Sequence, residues 1–492
     1  MAHAEAAASM RFVPVVGLEV HLQLATASKI FCGCPTTFAG TPNTQVCPVC
    51  LGFPGALPVL NRQALRFGIR VALGLGCRIE RQLVFHRKNY FYPDLPKGFQ
   101  ISQYDLPLAR NGFLELSEKR RIRIHRVHVE EDAGKLLHRE EGSVENSYSL
   151  VDFNRAGVPL LEIVTEPDIA SAEEAHDYLK TLKGILEYLE VSDCDMEKGS
   201  LRCDTNISLK EDDPRAPLGT KVEIKNLNSF KAVVRSLRYE FERQEEALRN
   251  KEPLRQETRL WDDAKGVTLP MRSKEYAHDY RYFPEPDLVP FSVLEQEVEE
   301  VRKNVPELPQ AKSRRFSAEY GLSSPEAHGV TRQKGTADYF EACVKMNPRA
   351  AKSVCNWILG EMSRQMNEKG LEEIGELHFP PEHLAQLLSL IEAGTISHKM
   401  AKEVFSESLS KMIPPQAVVR EKNLSQVTDR NALKEAARKV LQSHERAAAD
   451  FRSGKEQALK FLVGQLMRET KGAANPALSQ EILSELLKEE KP

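Results

Sequence analysis

The sequence contains no long apolar run and, at its start, no pattern of a secretory signal. None of its apolar runs approaches the ~20 residues that a helix needs to cross a bilayer. The N-terminal stretch MAHAEAAASMRF lacks the basic start and apolar centre of a secretory signal. We therefore expect a protein of the cytoplasm, or of an organelle matrix if the host is eukaryotic, without a membrane partner.

Three glycine-containing motifs of common enzymes are also absent. The chain has no G-x-x-x-x-G-K-[ST], no G-x-G-x-x-G after a predicted strand and no G-x-S-x-G. A P-loop, a dinucleotide-binding fold and a nucleophile elbow are therefore not indicated. If the protein uses ATP, a metal ion and side chains must hold the phosphates.

The charge balance is close to neutral. The 492 residues carry a formal net charge of −3, so the chain does not coat nucleic acid through an overall positive charge. A local basic face could still bind nucleic acid. At roughly 150 residues per domain, the length predicts about three domains.

The amino-acid usage changes near residue 290. Before it, short β-branched segments are broken by Gly, Pro, Asn and Asp, and after it Glu, Lys, Ala and Leu recur at helical spacing. Residues 283–290 (FPEPDLVP) form the best candidate boundary, and residues 412–415 (MIPP) indicate a second, weaker one. We predict amphipathic helices over 432–445, 455–469 and 477–489.

Several segments before residue 290 have one apolar and one polar face. In residues 16–24 the even positions are Val or Leu, and Glu19, His21 and Gln23 project from the other side. The same alternation groups Arg202 with Asp204 and Asn206, Lys221 with Glu223 and Lys225, and Glu162 with Glu166. Strands of this kind favour antiparallel sheet. The alternation slips at His125 and Arg126, which predicts a β-bulge.

The polar faces have two interpretations. They could simply meet water, or they could line a charged cleft, which better explains their many acids, bases and amides. Acids in one cleft (Glu19, the run 130–132, Glu162 and Asp204) would repel one another unless a cation lay between them. Oxygen ligands with one imidazole suit Mg²⁺, so Glu19 and His21 are the first candidates to hold it. For any single acid, a solvated surface position is the alternative.

Four of the nine cysteines fall within nineteen residues, at Cys32, Cys34, Cys47 and Cys50. Thiolates satisfy tetrahedral zinc, and short spacers let one turn supply two ligands. In a chain without a secretory signal, this clustering indicates metal rather than disulfides. Four thiolates would close the coordination sphere, so the zinc would be structural. The alternative is four buried or redox-active cysteines that bind no metal.

Residues 86–100 interleave basic and aromatic side chains. Arg87, Lys88 and Lys97 could hold phosphates while Tyr90 and its neighbours stack on bases or pack beneath them. The alternative is an ordered surface loop whose aromatic side chains belong to the core.

Six stretches of the chain together resemble one protein family. They are residues 17–21 (GLEVH), 87–98 (RKNYFYPDLPKG), 128–135 (HVEEDAGK), 152–162 (DFNRAGVPLLE), 199–204 (GSLRCD) and 223–230 (EIKNLNSF). The family is the B subunit of the aspartyl/glutamyl-tRNA(Asn/Gln) amidotransferase. The resemblance runs from about residue 12 to the C-terminus, where residues 461–476 are similar to the family's tail domain.

The resemblance implies an α+β chain of three domains. A cradle domain, an antiparallel sheet flanked by helices with the zinc knuckle at residues 32–50, would occupy residues 12–293. A helical domain would follow at 294–410, and a small helical tail domain that binds tRNA would occupy 411–492. We expect residues 1–11 to be disordered.

The resemblance also implies a reaction. The chain would use ATP to phosphorylate the side-chain carboxylate of Glu-tRNA(Gln), Asp-tRNA(Asn) or both, in a heterotrimer with the family's amidase, its A subunit, and its small C subunit. Ammonia that the amidase releases from glutamine would then displace the phosphate. The family's Mg²⁺ site maps onto Glu19, His21, Glu131 and Glu162, which selects Glu131 over Glu130. Weaker candidates for binding ATP or tRNA are Arg87, Lys88, Lys97, Arg202, Asp204, Asn206 and Lys225.

Two other functions remain open at this point. The chain could be a non-catalytic scaffold that binds tRNA and carries a structural zinc, or a kinase or ligase that acts on an unrelated carboxylate. The acid and the histidine on one strand face argue against a scaffold, because binding tRNA does not need them.

Overall fold

The computed structural model describes residues 11–489 except 39, 118–119, 140–147, 274–279, 423, 425–429, 454, 471–473 and 475. The chain divides into two compact units, Met1–Leu308 and Pro309–Pro492. The predicted disorder of residues 1–11 concerns residues that, apart from Arg11, lie outside the described ones. The predicted boundaries after residues 293 and 410 stay predictions.

The first unit holds all the described strands. They are β1 (Phe12–Gln23), β2 (Arg78–Ile79), β3 (Gln82–Leu83), β4 (His86–Asn89), β5 (Phe99–Ser102), β6 (Ala109–Ser117), β7 (Arg120–Glu131), β8 (Lys135–Arg139), β9 (Tyr148–Asp152), β10 (Pro159–Thr165), β11 (Leu201–Glu211), β12 (Val222–Lys225), β13 (Glu257–Asp262), β14 (Val267–Ser273), β15 (Phe283–Pro284) and β16 (Phe291–Ser292). Its helices are α1 (Arg62–Gly74), α2 (Ala172–Tyr188), α3 (Phe230–Arg249) and α4 (Glu295–Arg302).

A nine-stranded sheet dominates this unit, in the order β14-β13-β12-β11-β1-β10-β7-β6-β2. Neighbouring strands are antiparallel except β12 and β13, which are parallel. The connection between these two contains the 20-residue helix α3, and a parallel pair needs such a long crossover. The predicted α+β class, with an antiparallel sheet flanked by helices, is confirmed, apart from this one parallel pair.

One face of the sheet forms the core. Val16, Leu18, Val20 and Leu22 of β1 are at most 1% exposed and belong to a cluster that includes apolar side chains of α1, α2 and α3. Full burial of such a side chain stabilises the fold by about 1.5–3 kcal/mol. The intervening side chains of β1 are half-buried on the opposite face, so the predicted alternation is confirmed. We call this opposite face the polar face.

The predicted β-bulge is also present. Val164 of β10 pairs with Arg126, and Thr165 pairs with Ile124, which leaves His125 as an extra residue in β7. The bulge shifts the alternation by one position. The core-facing side chains of β7 are therefore Ile122 and Ile124 before it and Val127 and Val129 after it. Beyond the bulge, the polar face receives Arg126, His128 and Glu130.

The second unit is helical over its described residues, as predicted. Its α-helices are α5 (Pro309–Tyr320), α6 (Ser324–Thr331), α7 (Lys334–Met346), α8 (Ala351–Trp357), α9 (Ser363–Lys369), α10 (Pro381–Glu392), α11 (His398–Lys411), α12 (Pro415–Glu421), α13 (Arg430–Ser443), α14 (Glu445–Arg452), α15 (Glu456–Glu469) and α16 (Pro476–Glu489). Shorter turns are the 3₁₀ segments Pro348–Ala350 and Ile374–Leu377 and the π-helical segment Ile358–Met362.

The last four helices share a core of their own. Leu433 of α13, Leu462 and Leu466 of α15 and Ile482 of α16 are fully buried in it. The three amphipathic helices predicted for this region match α13, α15 and α16. Among the helices described here, none is both long enough and apolar enough to span a bilayer.

Candidate functional site

Charged side chains form rows across the polar face. The strand registers align Arg202 of β11, His21 of β1, Glu162 of β10 and His128 of β7 in one row. Because neighbouring strands lie ~4.8 Å apart, this row spans roughly 14 Å. Four residues that are distant in sequence are thereby brought side by side.

The centre of this face is a cluster of one imidazole and two carboxylates. Ligand atoms of His21, Glu130 and Glu162 all lie within 4.8 Å of one another. His21 Nε2 is 3.9 Å from Glu130 Oε1, and His128 Nδ1 is 3.4 Å from Glu162 Oε2. The cluster therefore has the donor types and the spacing of a divalent-cation site, with His128 supporting one carboxylate from the side.

The two carboxylates have opposite protonation tendencies. Burial, and then the charge of Glu162, raises the pKa of Glu130. Burial also acts to raise the pKa of Glu162, but the hydrogen bond and charge of His128 outweigh it and the pKa is lowered. Close carboxylates that cannot both ionise behave in this way, and a divalent cation between them would keep both charged.

Asp132 holds Arg202 beside the cluster. This carboxylate is 4% exposed and accepts hydrogen bonds from Arg202 Nη2 at 2.8 Å and Gln23 Nε2 at 2.7 Å. Burial acts to raise the pKa of Asp132, but Arg202 and Arg155 outweigh it and the pKa is lowered. Arg202 thus remains next to His21 with a fixed orientation.

The predicted residues of β11 and β12 lie on the same face. Lys225 Nζ is 2.5 Å from Asp204 Oδ2, and Asn206 Nδ2 donates to Glu19 Oε1 at 2.8 Å. Glu19 pairs with Asp204 across the two strands, one row away from His21. The structure therefore brings Glu19 to the polar face but not into the His21 cluster.

Lys88 lies against aromatic rings near the cluster. Its Nζ is 4.8 Å from the ring centroid of Tyr280 and 5.8 Å from that of Tyr90. Its positive charge acts on both Glu130 and Glu162. Burial acts to lower the pKa of Lys88, but the charges of Tyr282, Glu130 and other nearby groups outweigh it and the pKa is raised, so Lys88 stays positively charged and is suited to face an anion at this site.

Glu131, Arg87 and Lys97 lie elsewhere, around a cavity of ≈ 260 Å³. Glu131 Oε1 is 2.5 Å from Lys97 Nζ and accepts the backbone N–H of Ile101 at 2.8 Å. Arg87 donates to Glu285 at 2.7 and 2.8 Å. Successive strand residues point to opposite faces, so Glu131 turns away from the face that Glu130 occupies. The structure therefore does not bring Glu131 to His21 and Glu162.

The four clustered cysteines come together at the edge of this cavity. Their sulfur atoms lie within 4.8 Å of one another, and the Sγ atoms of Cys47 and Cys50 are 3.9 Å apart. Tetrahedral zinc with Zn–S bonds near 2.3 Å places its sulfurs ~3.8 Å apart. The fully buried Lys29 reaches Cys50 Sγ at 3.7 Å. The hydrogen bond with Cys32, together with the charge of Lys29, lowers the pKa of Cys50 to about 4.

Sequence reasoning missed two partners in these centres. The role of His128 could have been found from the alternation beyond the bulge, which places it on the face of Glu130. Lys29 carried no such signal, because a lysine in a short polar stretch is typical of a surface position and only the folded chain buries it.

Comparison with known proteins gives matches along nearly the whole chain. Residues 14–299 match the family model described as the GatB/GatE catalytic domain, and residues 338–487 match the one described as the GatB domain. Proteins named as the B subunit of aspartyl/glutamyl-tRNA(Asn/Gln) amidotransferase are similar throughout. The protein of Caldanaerobacter subterraneus subsp. tengcongensis is 53% identical over 97% of this chain and 100% of its own. The protein of Caldicellulosiruptor bescii is 51% identical over 97% of this chain and 99% of its own. The protein of Persephonella marina is 49% identical over 97% of this chain and 100% of its own.

Proposed function

The chain belongs to the family of aspartyl/glutamyl-tRNA(Asn/Gln) amidotransferase B subunits, and from this we propose that its polar face activates the side-chain carboxylate of a misacylated tRNA with ATP. The substrate would be Glu-tRNA(Gln), Asp-tRNA(Asn) or both. Ammonia would then replace the phosphate and give the amide. The compartment would be the one in which aminoacyl-tRNA is used, the cytoplasm or an organelle matrix.

The observation that carries this proposal is the cluster of His21, Glu130 and Glu162 beside basic side chains. The reaction joins two anions, a carboxylate and a polyphosphate, which repel each other. It therefore needs positive charge that is fixed before the substrates arrive. The carboxylates of Glu130 and Glu162, whose pKa values shift in opposite directions, form the place for a cation. Lys88 and Arg202 supply further positive charge.

The residues present fit a bound Mg²⁺. Two carboxylates and an imidazole would hold it, and the remaining coordination positions would be left for substrate phosphates and water. When bound, the ion would neutralise negative charge that the phosphates and the carboxylate bring to the site. The family resemblance also names Glu19 and Glu131 as ligands, and both assignments stay predictions.

The chain's own side chains would complete the reaction site. Arg202, oriented by Asp132, can donate two parallel hydrogen bonds to a phosphate or carboxylate beside His21. Lys88 can approach the same space from above its tyrosine rings. Lys225 is committed to Asp204 and Glu223, so it would shape the edge of the face rather than contact the reacting atoms.

The activated carboxylate would be an acyl phosphate on the bound aminoacyl-tRNA, and it needs a nitrogen source. Acyl phosphates hydrolyse readily, so the site must exclude water and receive ammonia directly. We propose that the amidase, the A subunit, is that source and that the small C subunit is a further partner. The helical tail of α13–α16 would contact tRNA.

The cysteine cluster would bind structural zinc. The sulfur spacing matches tetrahedral coordination, and four thiolates leave no open position for a substrate. Lys29 would offset part of the negative charge of such a centre.

The test is ATP turnover by the purified complex, with ammonium chloride in place of glutamine. Wild-type complex is expected to hydrolyse ATP only with misacylated tRNA, and Glu162→Gln is expected to abolish this. Glu166→Gln is the matched control. Glu166 directly follows the same strand, but its Oε1 lies 2.7 Å from His125 Nδ1 and it is not part of the cluster. Turnover that needs no acylated tRNA would indicate another carboxylate substrate, and no turnover at all would favour a scaffold.

A further inference from the structure

The four described arginines of β7 do not share one environment. Arg120, Arg121 and Arg123 each contact a carboxylate: Arg120 contacts Glu174 at 2.7 Å, Arg121 contacts Glu115 at 2.6 Å and Arg123 contacts Asp168 at 2.6 Å. The positive charge of each of these three arginines is therefore balanced by a carboxylate of the same chain. Arg126 has no ion pair and no side-chain hydrogen bond among the described residues, and its Nε is buried without a partner. A buried N–H that has lost water and gained no acceptor is costly. The Arg126 side chain as a whole is only half-buried, so its guanidinium can still receive an external acceptor.

The position of Arg126 is set by the bulge. The extra residue His125 turns Arg126 onto the polar face, in line with His128 and Glu130. Its cross-strand neighbours are Arg110 on β6 and Val164 on β10. Arg110 is another cation, and its guanidinium forms an ion pair with Glu80 at 3.6 Å. Val164 is apolar. Neither can satisfy Arg126, so the surroundings favour an external anion.

Arg126 is within reach of the cluster of His21, Glu130 and Glu162. It precedes His128 by two strand residues, which is a rise of ~7 Å. Its charge acts on Glu162, one of the three cluster residues. Arg202 lies on the other side of the row, next to His21. An extended anion bound at the cluster would therefore meet one guanidinium at each side.

We propose that Arg126 binds a phosphate group of ATP at the cluster. This rests on the proposed function, which places a polyphosphate there. A guanidinium presents two parallel N–H groups to a phosphate, and a triphosphate is long enough to contact both the cluster and a residue ~7 Å away along the strand. No covalent step is assigned to Arg126, so it is a binding residue.

The test measures KM for ATP and for misacylated tRNA separately in the purified complex, with ammonium chloride as nitrogen donor. Arg126→Gln is expected to raise KM for ATP at least tenfold and to leave KM for the tRNA within twofold. Arg123→Gln is the matched control: the same strand and substitution, but an exposed arginine that already has its carboxylate. It is expected to change neither constant by more than twofold.

Three outcomes would overturn the assignment. They are a KM for ATP in Arg126→Gln equal to that of Arg123→Gln, a rise in KM for tRNA instead, or weaker Mn²⁺ binding without a change in KM for ATP. The last would mean that Arg126 merely supports Glu162. If Arg126→Gln does not fold, Arg126→Lys decides, because it keeps the charge but loses the two-point contact, and a threefold or larger rise in KM for ATP is expected.

The outcome for the proposed function is separate. If Glu162→Gln loses turnover while Arg126→Gln matches its control, only the role of Arg126 is refuted. If Glu162→Gln keeps full turnover, the proposed function of the polar face fails whatever Arg126 does.

Discussion

Glu240 of α3 is predicted to stabilise the edge of the sheet that carries Lys225. Its side chain is fully buried and its oxygens accept hydrogen bonds from Arg243 at 2.9 Å, twice, and from Gln244 at 3.1 Å. Thr268 of β14 also donates to it, and Arg259 Nε of β13 lies 3.1 Å away. One carboxylate thus connects a helix with two strands.

Replacing Glu240 with Gln keeps the shape and removes the charge. Removing one partner from a buried ion pair costs about 3–5 kcal/mol. Here Arg259 retains Glu257 at 2.6 Å, and Arg243 is a quarter exposed and can recover water. The low end of the range applies, so we expect a loss of about 3 kcal/mol in the free energy of unfolding.

The environment of Glu240 also predicts how the free energy of unfolding depends on pH. Burial acts to raise the pKa of Glu240, but the hydrogen bonds of Arg243 and Thr268 outweigh it and the pKa is lowered. A lowered pKa contributes stability that is complete above the unfolded value of about 4.3 and is lost as pH falls through the folded value. The difference between wild type and Glu240→Gln should therefore be equal at pH 7 and at mildly acidic pH, and should shrink only in stronger acid.

Urea unfolding followed by tryptophan fluorescence measures this effect locally. The chain has two tryptophans, Trp261 on β13 and Trp357 in the helical unit, so a Trp357→Phe background reports on the sheet edge alone. Glu242→Gln is the matched control, because Glu242 lies on the same helix and is less buried than Glu240. A free energy of unfolding for Glu240→Gln within about 0.5 kcal/mol of the control would refute the reasoning.

Two further predictions concern the metal centre and the reaction site. Cys47→Ser is expected to lower zinc from one per chain to near zero and to reduce thermal stability, whereas Cys77→Ala keeps the metal; a zinc content near zero in the wild type would dismiss the centre. Asp132→Asn is expected to lower kcat/KM for ATP about tenfold, since Arg202 loses its orienting carboxylate, while Asp213→Asn at an exposed turn does not; equal kcat/KM values in the two variants would refute that role for Asp132.

The alternation of side chains predicted which residues of single strands share a face. It placed Glu19 with His21 on one face of a strand, and Arg202 with Asp204 on one face of another. All four side chains lie on the polar face. It could not predict the rows, because alternation within a strand does not specify which strands are neighbours or how they are aligned. Arg202, His21 and Glu162 become adjacent only through pairing between strands far apart in sequence.

The choice between Glu130 and Glu131 shows the limit most clearly. Counted from Arg121 and Arg123 without interruption, the polar side of β7 would include Glu131. The extra residue at His125 reverses this order and places Glu130 there instead. The slip in the pattern was visible in the sequence, but its effect on residues five positions later depends on the bulge being formed in the folded sheet.

The central claim is that His21, Glu130 and Glu162 form the divalent-cation site of the polar face. The most direct measurement is the affinity of the purified chain for Mn²⁺, followed by electron paramagnetic resonance, in wild type, Glu130→Gln and Glu131→Gln. These variants make the same change at adjacent residues on opposite faces of β7. We predict at least tenfold weaker binding in Glu130→Gln and a change below twofold in Glu131→Gln. Equal or greater loss in Glu131→Gln, or unchanged binding in Glu130→Gln, would contradict the claim.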